Sequence, residues 1–384
     1  MDGPLVKLFM GNYAIFGYST IFFFFAPYLE FHGFPSELTG WVISAFYASS
    51  ILVKPLASSI LENFGVRRTM MLAGSLGFGS GLALLVSPLS FLPLFILRLV
   101  MGLCFGIFLV AIMAYQNIAV PDSRRGASFV LTTIGSVCPM FTLMPVCDLL
   151  ISSGNHGIYL LLPAIMGGLC TYLAYSLKKV SPLRGSDDEA WGSYKDLFLK
   201  APIFALTVSI LVFAFADASI IYISSLSFAK GLTPSYFMVA FAAGSIFIRI
   251  AGRNYFNRMP RILLVAPSII SMSAGLLIAT AVNNNLFLTG AGFIYGLGVG
   301  YGYPAHLAMA GDLLPISLRP KGTSFILFFM DLSWFLLPLY MGYVSAMTDI
   351  LWAYRSLALV SIFMAVIIHA MWVRFQRQVM SDGR

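Results

Sequence analysis

The chain has 384 residues, of which 59% are hydrophobic and only 10% are charged. A soluble domain carries about 25% charged residues, and so many apolar residues could not all be buried inside one or two soluble domains. The composition therefore excludes a disordered chain, a disulfide scaffold, a coiled coil and a soluble enzyme. It indicates a membrane protein that crosses the bilayer many times.

Apolar runs separated by short polar breaks predict twelve membrane helices. In chain order these spans are 9–30, 39–61, 69–88, 90–114, 127–151, 157–177, 201–226, 235–252, 261–281, 286–310, 322–346 and 351–373. The longest break, 178–200, is charged and contains Pro182 and Gly185, as linkers do. We expect an all-α membrane protein with six-helix bundles at 1–177 and 201–384, joined by a cytoplasmic linker at 178–200.

The basic residues that give the net charge of +8 are distributed as the predicted topology requires. Eighteen of the 23 lysines and arginines lie on the side that holds both termini, Lys230 and Arg355 lie opposite, and Lys54, Arg98 and Arg249 lie inside spans. The positive-inside rule then places both termini in the cytoplasm. We expect an integral protein of the plasma (inner) membrane and no nucleic-acid partner.

An internal repeat indicates two pseudo-symmetric halves. Spans 4 and 10, each with its following loop, align at a constant offset of 196, which pairs Gly102 with Gly298 and Gly106 with Gly302. Both segments end in a basic residue followed by Gly-x-Ser-Phe. A repeat of six spans keeps its orientation, so we expect parallel halves about an axis along the membrane normal.

Ionisable side chains inside membrane helices are costly in hydrocarbon and face the bundle interior or water. Apart from Arg261 at the first position of span 9, spans 3, 6 and 9 hold none, which suggests a central pathway lined by spans 1, 2, 4, 5, 7, 8, 10 and 11. Asp148, at the end of span 5, is expected to be solvated. The candidates for substrate binding or proton coupling are Arg98, Asp331, Asp217, Lys54, Arg249 and His306.

Each candidate has a structural alternative. Arg98, near the expected midplane, could bind substrate or bridge to an acid on a neighbouring span. Asp217 and Asp331 could carry protons or stay paired with Lys54, Arg98 or Arg249. His306 could equally be a buried histidine with satisfied hydrogen bonds, and four aromatic residues could line the pathway or simply pack. These four are Tyr18, Tyr222, Tyr303 and Trp334.

The loop after span 2 reads SSILENFGVRR and resembles the signature of the major facilitator superfamily. Gly65, Arg67 and Arg68 match that signature, while Glu62 stands in place of its usual aspartate. In span 4, Arg98 followed four residues later by Gly102 resembles the Arg-x-x-x-Gly motif of the same family.

The resemblance implies a secondary transporter whose two halves rock around a substrate held near the midplane. It implies that Arg98 serves proton coupling, as in drug-type antiporters, and that a gating loop controls the conformation. The gating loop consists of Glu62, Gly65, Arg67 and Arg68. Span 5 keeps Gly135 and Pro139 of the antiporter element but lacks its glycine pair, which favours metabolite transport over drug antiport.

The function that we expect is alternating-access transport of a small polar metabolite that bears a carboxylate or is zwitterionic, coupled to protons. A multidrug/proton antiporter and an uncoupled facilitator of the same fold remain the alternatives. The sequence holds no hydrolase, protease or nucleotide-loop motif, so we expect no enzyme activity, cofactor or metal. The expected partners are the substrate, protons and the lipid bilayer, with the chain as a monomer.

Overall fold

The computed structural model describes residues 3–119, 122–179, 194–200, 202–252, 259–314 and 319–382. The chain divides into two compact units, Met1–Gly185 and Ser186–Arg384. The division falls within 178–200, although residues 180–193 of this predicted linker lie outside the described ranges. All regular secondary structure in the described ranges is helical.

Unit 1 contains spans 1 to 6. Span 1 has three parts: an α-helix over Gly3–Thr20, a 3-10 turn over Ile21–Phe24 and an α-helix over Phe25–Phe31. Spans 2 to 6 are the α-helices Ser36–Phe64, Val66–Val86, Phe91–Ala119, Asp122–Ser152 and His156–Ser176.

Unit 2 begins with a short helix, Tyr194–Lys200, before span 7. Span 7 again has three parts, namely Ile203–Ala218, a 3-10 turn over Ser219–Tyr222, and Ile223–Ala229. Spans 8 and 9 are Pro234–Ala251 and Val265–Ala281, and a 3-10 turn over Arg261–Leu264 precedes span 9. Spans 10, 11 and 12 are Asn285–Leu313, Arg319–Met347 and Ile350–Asp382.

Ten of these segments are long and apolar enough to cross a membrane, counted over the described residues. The other two, spans 2 and 10, are helices of 29 residues, about 43 Å long at 1.5 Å per residue. Large apolar side chains are exposed on spans 3, 6 and 12, as a lipid-facing surface requires. The predicted all-α membrane fold of twelve spans is confirmed.

The two units pair their helices in the same way. In unit 1, span 1 packs on span 5, span 2 on span 4 and span 3 on span 6. In unit 2, span 7 packs on span 11, span 8 on span 10 and span 9 on span 12. Equivalent helices in the two halves therefore have equivalent neighbours, as a parallel repeat requires.

Glycines allow the closest contact between spans 2 and 4. A Cβ atom at Gly102 would overlap the Phe46 carbonyl oxygen, and one at Gly106 would lie 2.6 Å from a methyl carbon of Val53 and 3.1 Å from the Ser50 carbonyl oxygen. Span 4 therefore needs glycine at both positions to approach the span 2 backbone.

The counterparts in unit 2 are Gly296 and Gly300. A Cβ at Gly296 would overlap the Phe241 carbonyl oxygen, and one at Gly300 would meet Ser245 and Ile248 of span 8. Span 10 therefore corresponds to span 4 at an offset of 194.

The predicted offset of 196 is wrong for these helices, because Gly298 faces Ser268 and Met272 of span 9 instead. Glycines alternate along 296–302, so an ungapped alignment can match them in the wrong register. The loop residues that suggested it, Arg125 and Lys321, have side chains outside the described residues.

Gly296→Val should destabilise the protein, because the added side chain meets backbone in span 8 and overpacking costs about 1–3 kcal/mol or more. Gly290→Val is the matched control on the same helix, since nothing lies within 4 Å of a Cβ at Gly290. Melting temperatures in detergent should fall for the first variant only. Equal melting temperatures would contradict the proposed contact.

Candidate functional site

Arg98 of span 4 lies among aromatic rings in unit 1 and is only 1% exposed. Its guanidinium carbon is 3.9 Å from the ring centroid of Phe22, 4.5 Å from that of Phe46 and 5.8 Å from that of Phe25. Ring faces carry negative charge density and attract a cation at these distances. The rings therefore hold the guanidinium in place without a carboxylate.

The nitrogen atoms Nε and Nη1 of Arg98 are buried and have no hydrogen-bond partner among the residues that the structure describes. No acid among the described residues forms an ion pair with this side chain, so the alternative of a bridge to a neighbouring acid is not seen there. Buried donors without acceptors are costly. An anion that reached Arg98 would find two unused donors on a planar group suited to carboxylates.

Unit 2 brings five predicted site residues of spans 7, 8, 10 and 11 together. The indole N–H of Trp334 donates a hydrogen bond to the Asp217 carboxylate, and the Arg249 charge acts on that carboxylate. Tyr303 lies within electrostatic range of Asp331, Asp217 and Arg249. This group, the unit 2 polar cluster, holds two carboxylates and one guanidinium.

Arg249 is also held by span 10, since its Nε donates a hydrogen bond of 3.1 Å to the Gly300 carbonyl. In unit 1, Lys54 is half-buried on span 2. Lys54 precedes Arg249 by 195 residues, the offset that also relates Ser50 to Ser245. The two cations therefore occupy equivalent places in their units.

Three further candidates lie in helix packing. Tyr18 is buried against span 3, where its hydroxyl is 3.1 Å from the Ser80 hydroxyl. Tyr222 is buried, and its hydroxyl donates to the Pro338 carbonyl over 3.5 Å. His306 is fully buried and contacts the Gly302 carbonyl through Nδ1 at 2.8 Å.

The His306 side chain is not completely satisfied. Its ring lies on that of Phe213, with centroids 4.5 Å apart, and within the described ranges its Nε2 atom meets no hydrogen-bond partner of good geometry.

The gating loop binds the end of span 6. Gly65 ends span 2 with a φ of 76°, which glycine adopts without strain. Arg67 donates from Nη2 to the Tyr175 carbonyl over 2.6 Å, and Lys7 donates to the Ser176 carbonyl over 2.6 Å. Cations are favourable at a helix C-terminus, so both stabilise span 6. Arg68 is exposed, and the Glu62 side chain lies outside the described residues.

The 3-10 turns in spans 1 and 7 are a feature that the sequence did not predict. Both spans were expected to be continuous helices. In unit 1 the Tyr159 hydroxyl of span 6 donates to the Ile21 carbonyl over 3.0 Å. In unit 2 the Tyr354 hydroxyl of span 12 donates to the Ser219 carbonyl over 2.6 Å. Each interruption is thus held by a tyrosine from the sixth helix of its own unit.

A second tyrosine holds the backbone at Asp217. The Tyr295 hydroxyl of span 10 lies 2.6 Å from the Asp217 carbonyl and 3.0 Å from the Ala216 carbonyl. The backbone of Asp217 is therefore fixed by Tyr295, and its carboxylate by Trp334.

Sequence reasoning missed the tyrosine donors because the interrupted segments, IFFF and SIIY, contain neither proline nor glycine. The available signal was the repeat itself, since Tyr159 and Tyr354 are separated by 195 residues. The expectation that Asp148 is solvated is wrong, because that residue is only 4% exposed. No group of three or more metal-ligating side chains occurs among the described residues.

A sequence model of the major facilitator superfamily matches residues 8–301. The chain belongs to the major facilitator superfamily. The family resemblance of the loop and span 4 motifs is thereby confirmed, and the family indicates a transporter embedded in a membrane. None of the curated proteins matches the chain in sequence.

Solved structures of the superfamily share the fold. A mutant of the nucleoside transporter NupG has 14% identity and a TM-score of 0.80, covering 96% of this chain and 98% of its own. The peptide transporter POT in complex with sulfate has 13% identity and a TM-score of 0.76, over 97% and 95%. A bacterial homolog of the human lysosomal transporter Spinster has 13% identity and a TM-score of 0.75, over 98% and 97%.

Tyr354→Phe should lower the melting temperature of the purified transporter. The change leaves the Ser219 carbonyl without its donor in a buried site, which costs about 1–3 kcal/mol. Tyr236→Phe is the control, because Tyr236 is 49% exposed and its hydroxyl bonds to no described residue. If both variants melt like the wild type, the hydroxyl does not hold the 3-10 turn.

Proposed function

We propose that this protein is a proton-coupled secondary transporter of a small polar metabolite that bears a carboxylate or is zwitterionic. The observation that carries the proposal is that, in each unit, a charged side chain of the candidate site lies next to a 3-10 turn that interrupts a membrane helix. In unit 1 the buried Arg98 stacks on Phe22, which lies in the 3-10 turn of span 1. In unit 2 Asp217 lies two residues before the 3-10 turn of span 7.

Arg98 is the proposed contact for the substrate's anionic group. Its planar guanidinium can bind a carboxylate through two parallel hydrogen bonds. The rings of Phe22 and Phe46 hold that plane, and the unpaired Nε and Nη1 are the donors available to such a ligand. A lipophilic drug without an anionic group would leave these donors unsatisfied, which favours a metabolite.

The unit 2 polar cluster is the proposed site of proton coupling. The Arg249 charge acts on Asp217, and Tyr303 links Asp331 to the same cluster, where net charge inside a membrane is costly. One proton, or the ammonium group of a zwitterionic substrate, would neutralise the excess carboxylate. A movement that separated Arg249 from the acids would change their proton affinity, which is the property that coupling requires.

The distribution of basic residues supports a plasma-membrane orientation with both termini in the cytoplasm. Alternating access of the two units around a substrate is proposed from the family. The gating loop contributes by holding the end of span 6, through Arg67, next to the start of the predicted linker.

The substrate can be found by a thermal-shift screen of detergent-purified protein, because a ligand that binds the folded state raises its melting temperature. Amino acids and organic acids come first, with nucleosides and short peptides included because the similar structures carry those names. Binders then enter proteoliposome assays with and without a pH gradient. Uptake that is the same with and without the pH gradient would indicate an uncoupled facilitator. Proton-driven export of lipophilic cations would indicate a multidrug antiporter.

Arg98→Met should abolish transport of the screened ligand while the protein melts at or above the wild-type temperature. Methionine removes a buried cation that forms no ion pair with the described residues, and with it the cost of two buried donors without acceptors. Arg98→Lys should also transport poorly, since an ammonium cannot reproduce the planar fork. Wild-type uptake by Arg98→Met would show that Arg98 is not the substrate contact.

Asp331→Asn should lose accumulation driven by a pH gradient but keep exchange of labelled for unlabelled substrate at equal concentrations. The asparagine amide cannot carry the coupled proton. Exchange does not need that proton, because it requires only that the protein alternates between its conformations with substrate bound. Asp349→Asn is the matched control, because Asp349 caps the start of span 12 and asparagine caps equally well. If Asp331→Asn still accumulates substrate, Asp331 is not the carrier and Asp217→Asn is tested in its place.

A further inference from the structure

A groove of about 520 Å³ lies in unit 2, away from the polar cluster. Three elements enclose it: the short helix Tyr194–Lys200, the beginning of span 7 and the end of span 12. Its lining includes Phe198, Pro202, Phe204, Met371, Phe375 and Arg374.

The walls of the groove are apolar and uncovered. Phe204 is 74% exposed and Phe198 is 57% exposed, although both are large rings. The short helix is anchored from its other side, where Leu197 is fully buried, and Phe198 contacts the Phe325 ring at 5.9 Å. An apolar channel at a helix end in a membrane is suited to an acyl chain.

The rim of the groove is cationic. Arg374 is exposed and forms no hydrogen bond or ion pair with the described residues. Arg377, one turn further along span 12, and Lys195 on the short helix are also exposed. The neighbouring acid, Asp196, is half-buried and already has a partner. Among the described residues, the rim therefore carries a net positive charge, because three exposed cations lie near one acid that already has a partner.

We propose that this groove binds one anionic phospholipid, with an acyl chain along Phe204, Met371 and Phe375 and the headgroup phosphate on Arg374. Guanidinium groups form strong charge-assisted hydrogen bonds with phosphate. Basic residues at the ends of membrane helices attract anionic headgroups. A zwitterionic lipid fits less well, because its own cation faces Arg374 and Arg377. The lipid would hold the short helix against spans 7 and 12.

The test uses the full-length protein in detergent, with dioleoyl phosphatidylglycerol or dioleoyl phosphatidylcholine added, and counts bound lipid by native mass spectrometry. Phosphatidylglycerol should bind about fivefold more tightly, the factor that one basic residue contributes at an anionic lipid surface. Arg374→Gln should remove that preference, and Arg374→Lys should keep most of it. Lys179→Gln, which removes an exposed cation from unit 1, is the matched control and should bind like the wild type.

Equal binding of the two lipids by the wild type would overturn the proposal, and so would an unchanged preference in Arg374→Gln. Inorganic phosphate at millimolar concentration separates a lipid site from a simple anion site, because without an acyl chain it should not displace phosphatidylglycerol. Full displacement by phosphate would show that the groove takes no lipid chain. Arg374 is exposed, so its variants should elute as wild type in gel filtration.

Discussion

The structure depends on one constraint, which is that backbone polar groups in a membrane must be satisfied inside the protein. A 3-10 turn in a spanning helix changes the pairing of its carbonyls, and spans 1 and 7 both contain one. The hydroxyls of Tyr159 and Tyr354 bind these carbonyls from the sixth helix of each unit. Because the turns are held, Phe22 within the first turn is held against Arg98, and Asp217, two residues before the second turn, is held against Trp334.

The same constraint explains the contacts of several basic side chains, which bind polar groups at the ends of membrane helices. Arg67 and Lys7 bind the last carbonyls of span 6. Lys230 donates to the Thr280 carbonyl at the end of span 9 over 2.7 Å, and Arg355 lies 3.4 Å from the Thr280 hydroxyl. Lys230 and Arg355, which the predicted topology places on the side opposite the termini, therefore stabilise a helix C-terminus.

The candidate site could be predicted in part from charge alone. Because ionisable groups are rare in membrane helices, Arg98, Asp217, Arg249 and Asp331 could be selected without a structure. Their surroundings could not be predicted, since side-chain neighbours come from other helices. The packing of Arg98 on aromatic rings without an ion pair to any described residue, and the burial of Asp148, depend on groups that are distant in sequence.

The sequence by itself determined the membrane environment, the twelve spans and the family, because hydrophobic length and loop motifs are local properties. It also revealed the repeat, but only contacts with span 8 showed that Gly296 and not Gly298 corresponds to Gly102. The tertiary structure alone decided where spans 1 and 7 are interrupted, because the donors that satisfy the freed carbonyls lie more than 130 residues away. Hydrophobic patterns in the sequence indicate which helix faces can be buried. Hydrogen-bond donors from distant parts of the chain determine where a helix can be interrupted.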